Sequence, residues 1–335
     1  MRLALQQQRG HALLLNAPNG IGALEFMLCL AQAWLCESAD TAPPCGHCGS
    51  CRLVQAGTHP DLRVLVPETL RPLLGGAAQA EDDAGEGGKA RRKPSRQIRI
   101  DEVRAAIDWV VQSSSRGRAK VVLLHPAEAM NHQAANALLK TLEEPPGSAR
   151  LLLSTADEAR LLPTVRSRCQ RIRLAEPPTE QASAWLAEQG VADAQVLLAA
   201  AGGAPLAARD LSAAGIDAAT WQALPAALAQ GRAAAWTGWP VPLAVDALQK
   251  ICHDAMVQAA GGRPRYFAPP TLPQGVRPAR LSAWAKTLMR VARHDEHPWN
   301  DGLLIEALVS DGRSCWQEAT TRAPRTGRGL DTLGR

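Results

Sequence analysis

Four cysteines crowd into the stretch 36–51, where Cys36, Cys45, Cys48 and Cys51 follow the spacing C-x8-C-x2-C-x2-C. Pro43, Pro44, Gly46 and Gly49 supply the turns that let four thiolates converge. Two overlapping C-x2-C pairs suit tetrahedral Zn²⁺, and four sulfurs leave no open coordination position, so the expected metal is structural and not catalytic. His47 and Cys29 are the possible substitutes: His47 reads as a solvent-facing turn residue and Cys29 as a core residue of the preceding helix. The other four of the eight cysteines, Cys29, Cys169, Cys252 and Cys315, are scattered, a usage that in a cytoplasmic chain points to metal and not disulfides.

A second chemical lead is the turn Ala17-Pro18-Asn19-Gly20-Ile21-Gly22-Ala23-Leu24. A strand, a glycine-bearing turn and a helix make the setting of a Walker A loop, whose amides and helix N-terminus cradle phosphates. Set against G-x-x-x-x-G-K-S/T, Gly22 falls on the second glycine. Ala17 replaces the first glycine, Ala23 the phosphate lysine and Leu24 the magnesium-binding hydroxyl. A relic phosphate loop and a plain turn both fit. A Walker B strand ends in an aspartate for magnesium and then a glutamate that polarises water. Here Val121–Leu124 runs into His125-Pro126, where His125 reads either as an unorthodox ligand or base or as a structural histidine. With lysine, hydroxyl, aspartate and glutamate absent, no bound nucleotide and no ATP hydrolysis are expected.

The elements that must position these residues follow from hydrophobic spacing. Short apolar runs alternate with helical patterns through the first half, the signature of a parallel α/β sheet with helices on its faces. Strands are expected at 12–15, 62–66, 121–124, 151–154 and 172–174. A helix between the first two carries Leu24, Met27, Leu28, Ala31 and Leu35 on one face, and a second opens at Asp101 as N-cap and buries Val103, Ile107, Val110 and Val111. Pro177-Pro178 closes the sheet region, and the alanine-rich remainder shows no strand pattern and reads as all-helical.

A length of 335 residues implies two or three domains, and 46% hydrophobic with 21% charged residues is a globular balance. No run of 18 apolar residues is present to span a bilayer, and Met1–Gln8 lacks the pattern of a secretory signal, so a cytoplasmic protein is expected. A net charge of +5 permits contact with nucleic acid without requiring it. Residues 71–96 hold Glu81, Asp82, Asp83 and Glu86 and then Lys89, Arg91, Arg92, Lys93 and Arg96; a disordered, solvated surface loop is expected, with nucleic-acid contact by its basic half as the alternative. The tail 319–335 is expected to fray.

Three segments taken together resemble bacterial clamp-loader subunits of the AAA+ family. They are the cysteine module, Ala137-Leu138-Leu139-Lys140-Thr141-Leu142-Glu143-Glu144-Pro145-Pro146, and Ser167-Arg168-Cys169. Their order along the chain, with Gln55-Ala56-Gly57-Thr58-His59-Pro60-Asp61 between the cysteines and the degenerate Walker B strand, also matches over roughly residues 9 to 212. Lost Walker residues beside an intact S-R-C are similar to the delta-prime branch of that family, one subunit of the DNA polymerase III holoenzyme.

The resemblance implies an AAA+ domain over 1–174 with its zinc module at 36–51, a helical lid over 175–212 and a helical collar over 213–318. It implies a pentameric complex with gamma or tau ATPase subunits and a delta subunit, loading a sliding clamp onto primed DNA. Arg168, which by itself reads as a surface arginine in a basic stretch with Arg166, Arg171 and Arg173, is then an arginine finger offered in trans to a neighbour's ATP, with Ser167 and Cys169 packing its loop. Lys140 faces DNA phosphates or is an ordinary exposed lysine. Leu206 stands where active members carry a sensor arginine. Two other functions compete: an active P-loop ATPase with unorthodox ligands such as His125, and a zinc-bearing DNA-binding protein that works alone.

Overall fold

The computed structural model describes residues 10–39, 42–74, 94–272, 274–293 and 300–316. The apolar runs of the first half pair into one five-stranded sheet, all parallel, with β1 (Ala12–Asn16), β2 (Leu62–Leu65), β3 (Val121–Leu124), β4 (Arg150–Thr155) and β5 (Gln170–Arg173) in the order β2-β3-β4-β1-β5. Register is fixed by pairs such as Leu14 with Leu153 and Val122 with Leu151. The inner strands are buried on both faces, which is why they read as unbroken apolar runs. Edge strand β5 alternates charge with a single half-buried Ile172, so its apolar signal is short, and it starts two residues before the expected 172.

Helices cover the two faces. On one, α1 (Ala23–Leu35) packs Leu24, Met27 and Leu30 against Leu13, Leu15, Val121 and Leu123. The short α2 (Gly49–Gln55) adds Val54 there. On the other face, α3 (Ile100–Val110) and α4 (His132–Glu143) bury Val103, Ala106, Leu138 and Leu142 against Leu14, Val122, Leu124 and Leu153. The cap of α3 differs from expectation: Arg99 is the N-cap residue, and its N–H donates to the Glu102 carboxylate. Val111, expected in the core, follows the last helical residue and is 66% exposed. In α4 the Asn131 side chain caps the helix by accepting from Ala134 N–H, as its sequence suggests. A short α5 (Pro163–Arg166) leads into Ser167-Arg168-Cys169.

By compactness the chain divides into two units, one holding residues 1–182 with 204–207 and the other 183–203 with 208–335. Among its described residues the second has helices as its only regular elements. After α6 (Thr179–Glu188), which the division crosses, come α7 (Ala194–Ala200), α8 (Pro205–Ala213), α9 (Ala218–Ala229), α10 (Val241–Ala259), α11 (Pro278–Arg293) and α12 (Asp301–Arg313). Its core gathers Trp221, Trp236, Leu248, Ile251, Leu281 and Trp284, and Trp221 stacks on Phe267. Ala200 and Leu211, from the range expected to form a separate lid, belong to this same core, so no break in packing separates a lid from a collar.

Of the expected loop 71–96, residues 71–74 end a 3₁₀ helix (Glu68–Leu74) and Ser95 is tied to the Glu68 carboxylate. Residues 75–93 and the tail 319–335 lie outside the described residues, as does Met1–Gln8. No helix among the described residues is long and apolar enough to cross a membrane.

Candidate functional site

The four clustered thiols converge as their spacing implies. Cys36 ends α1, Cys45 lies in the turn, Cys48 caps α2 and Cys51 sits in its first turn, and the four sulfurs lie within 4.8 Å of one another. Cys36 Sγ is 4.0 Å from Cys48 Sγ, and Cys45 Sγ is 3.9 Å from Cys51 Sγ. Four sulfurs at ~2.3 Å from one zinc ion are ~3.8 Å apart, so the quartet fits a tetrahedral ion. The backbone supports anionic sulfur: Cys48 N–H donates to Cys45 Sγ at 3.3 Å and Cys51 N–H to Cys48 Sγ at 3.4 Å. Burial raises the Cys48 thiol, but N–H donors from Glu37 and Cys51 outweigh it and bring Cys48 down to about 6. Cys51 is pushed up to about 12 by burial. His47 is exposed and bonded to the Cys45 carbonyl, outside the quartet. Cys29, expected in the core, is exposed on the outer side of α1.

A buried polar chain ties this module to the sheet. Ser50, beside Cys51, donates to the Leu35 carbonyl at 2.6 Å, and His59 Nε2 lies 2.7 Å from Ser50 Oγ. Because Asp61 N–H donates to His59 Nδ1, the ring carries its proton on Nε2 and gives it to Ser50. The Asp61 carboxylate accepts from Ser115 and Arg116 N–H, while its carbonyl receives Val121 N–H at the start of β3. Arg116 closes the ring with a bidentate pair to Glu37, which holds the Glu37 carboxyl below the usual range. These bonds give Thr58-His59-Pro60-Asp61 a structural task that its sequence alone did not reveal.

Burial also holds the His59 pKa below its ordinary value. The unfolded chain therefore binds more protons on acidification, so this contribution to stability is complete above about pH 6.5 and is lost as pH falls. Urea midpoints at pH 7.5 and 5.5 should fall further for the wild type than for His59→Gln; equal losses would remove His59 as a source of the acid sensitivity.

At the C-terminal edge of the sheet, where open α/β folds bind ligands, the loop after β1 turns on two glycines. Gly20 and Gly22 take left-handed conformations at φ 78° and 95°, and α1 starts after Gly22. A later segment packs against this loop. Leu206 N–H donates to the Gly20 carbonyl at 2.9 Å, and a Cβ placed on Gly20 would come within 2.6 Å of Ala207 Cβ. Glu25 occupies the first turn of α1, an acid where a phosphate would be received. His125 Nδ1 is bonded to Ser154 Oγ at 2.6 Å, and burial lowers its pKa, so it sits neutral and engaged. Among the described residues only the four clustered cysteines come together as a metal-binding group.

Arg168 follows α5 and turns toward the end of α4. Its Nε and Nη2 both donate to Glu143 Oε1, the first at 2.6 Å, and Nη1 donates to the Thr164 carbonyl at 2.9 Å. Ser167 is exposed and Cys169 is buried against the α3 and α4 face of the sheet, its thiol pushed up to about 11 by burial. Lys140 is exposed on α4. Two segments read separately in the sequence, the E-E-P-P helix end and the S-R-C turn, thus form one polar cluster.

The family model described as DNA polymerase III, delta subunit, matches residues 2–178. The delta-prime subunit of DNA polymerase III from Pseudomonas aeruginosa is 38% identical over 257 residues, covering 73% of this chain and 71% of that one. The Escherichia coli delta-prime subunit is 35% identical over 264 residues, covering 73% and 72%. This chain belongs to the delta-prime subunits of DNA polymerase III. The tau subunit of Escherichia coli DNA polymerase III is also similar, 32% identical over 171 residues, covering 51% of this chain and 22% of tau.

Within this delta-prime chain, sequence reasoning passed over three parts of the site: Glu143 as the partner of Arg168, the packing of Ala204–Ala207 against Gly20, and the acidic Glu25. Of the first, the sequence shows an acid at a helix C-terminus, a place that the helix dipole disfavours, but not which residue pairs with it.

Proposed function

We propose that this delta-prime subunit works in a clamp loader without nucleotide chemistry of its own and supplies Arg168 in trans to ATP held by a neighbouring gamma or tau subunit. With a delta subunit completing the ring, the assembly loads a sliding clamp onto primed DNA in the cytoplasm. The observation that carries the reading is the contrast between two sites on one chain. The phosphate loop lacks lysine and hydroxyl and is covered by Leu206 and Ala207, whereas Arg168 is held at the surface with donors to spare. A guanidinium so placed stabilises charge growing on a transferred phosphoryl group. Cys36, Cys45, Cys48 and Cys51 hold Zn²⁺ as a structural cross-link, and the zinc takes no part in the phosphoryl chemistry. The lid at 175–212 and collar at 213–318 remain part of this reading, as functional regions and not as separate cores.

Nucleotide binding by the isolated chain tests the first half. A fluorescent ATP analogue should show no micromolar binding, and the double variant Ala23→Lys, Leu24→Thr should not recover it, because Leu206 and Ala207 still pack against the loop and Glu25 still places an acid in the first turn of α1. Micromolar affinity in the wild type would overturn the reading in favour of an ATPase with unorthodox ligands. Tight binding of duplex DNA by the chain alone, with a steep salt dependence, would favour a stand-alone DNA-binding protein.

A further inference from the structure

Resting on the reading of Arg168 as a finger for a neighbour's ATP, we infer that Glu143 is the positioning residue that aims it. A guanidinium has five N–H donors in a rigid plane. Here Glu143 Oε1 takes two, from Nε and Nη2, and the Thr164 carbonyl takes one, from Nη1. Ser167 Oγ lies at the 3.5 Å limit from Nη1 and adds little. One N–H is left on each terminal nitrogen, a pair suited to the oxygens of a phosphoryl group.

The two anchors come from different elements. Glu143 is the last residue of α4, which Leu138 and Leu142 fix into the core, and Thr164 lies in α5, which Val165 fixes. A long side chain is thereby reduced to one orientation before any neighbour arrives, which removes the entropy of fixing it at the moment of catalysis. The placement has no use for stability alone. Both side chains are partly exposed, with 30% and 48% of their surface accessible, a setting in which ion pairs contribute little. The carboxylate also sits at a helix C-terminus, where the dipole opposes it. The sequence order explains the link: the acid of the E-E-P-P segment is fixed at the helix end by the prolines that stop α4, 25 residues before the arginine it holds.

The test uses a reconstituted clamp loader carrying Glu143→Ala, Glu143→Gln, Arg168→Ala or the Arg168→Ala, Glu143→Ala pair in this subunit. DNA-stimulated ATP turnover is read as kcat and KM separately, and assembly and the melting temperature of the isolated subunit are measured beside it. Glu143→Ala should lower kcat on the order of 10-fold, the cost of a misdirected group, with KM, assembly and melting temperature unchanged. Glu143→Gln keeps an acceptor for Nε–H and should recover part of the loss. The double variant should be no slower than Arg168→Ala alone, because Glu143 acts only through Arg168.

Wild-type or increased kcat in Glu143→Ala, with Arg168→Ala still impaired, would overturn the positioning role and leave the finger standing. A further loss in the double variant beyond Arg168→Ala would likewise overturn it. Unchanged kcat in Arg168→Ala would overturn the finger itself, and this inference with it.

Discussion

Cys51→Ala is expected to abolish zinc binding and to destabilise the subunit by more than about 3 kcal/mol, the upper part of the range for single substitutions, where loss of a metal belongs. The physical reason is the position of Cys51 between two structures. Its sulfur closes the metal quartet, and its carbonyl receives the Gln32 side chain of α1. The next residue back, Ser50, begins the buried chain through His59 to Asp61 and the first residue of β3. Without the ion, three remaining sulfurs face one another in a half-buried cluster, and α2 loses the link that sets its start. Because Cys51 is pushed up to about 12 while Cys48 sits at about 6, metal entry must release a proton from Cys51, and affinity should fall as pH falls. Metal content of anaerobically purified protein, paired with urea midpoints before and after chelation, checks this. One zinc per chain and a lowered midpoint after chelation are expected; protein free of zinc with an unchanged midpoint would refute a structural metal.

How much of this was legible in the sequence depended on range. The buried runs of β1, β3 and β4 and the half-buried Leu62, Val64 and Leu65 of β2 announced themselves as apolar, and the strand ranges at 12–15, 62–66, 121–124 and 151–154 agree with β1 to β4 to within a residue. Strand β5 did not, because Gln170, Arg171 and Arg173 are exposed and leave Ile172 as its single apolar residue. The cysteine quartet was legible because a metal module is built from near neighbours in the chain. Cys29 was misread because it stands five residues beyond Leu24, about 140° around the helix from it, on the exposed side of α1. The missed parts are long-range pairings: Glu143 with Arg168, Asp61 with Ser115 and Arg116, and Leu206 with Gly20. Nothing in local propensity or spacing announces a bond whose partners lie tens of residues apart. Loss of the Walker side chains was plain in the sequence, but the packing of a segment nearly two hundred residues later against that loop was not.

Whether Arg168 acts on a neighbour's ATP is read from single-turnover ATP hydrolysis by a reconstituted clamp loader carrying Arg168→Ala in this subunit. Arginine fingers contribute on the order of 10³- to 10⁵-fold in rate where they have been removed, because they add positive charge and directed donors only as the phosphoryl group departs. Hydrolysis at the site facing Arg168 should therefore fall on the order of 10³-fold, while assembly, measured by co-elution of all subunits, is retained. Arg168→Lys should recover little, since an ammonium cannot bond Glu143 and Thr164 and still present a planar pair of donors. One ATP per complex should remain unhydrolysed on the timescale in which the wild type clears all of them. Clearance of every bound ATP at the wild-type rate, with Arg168→Ala fully assembled, would contradict it.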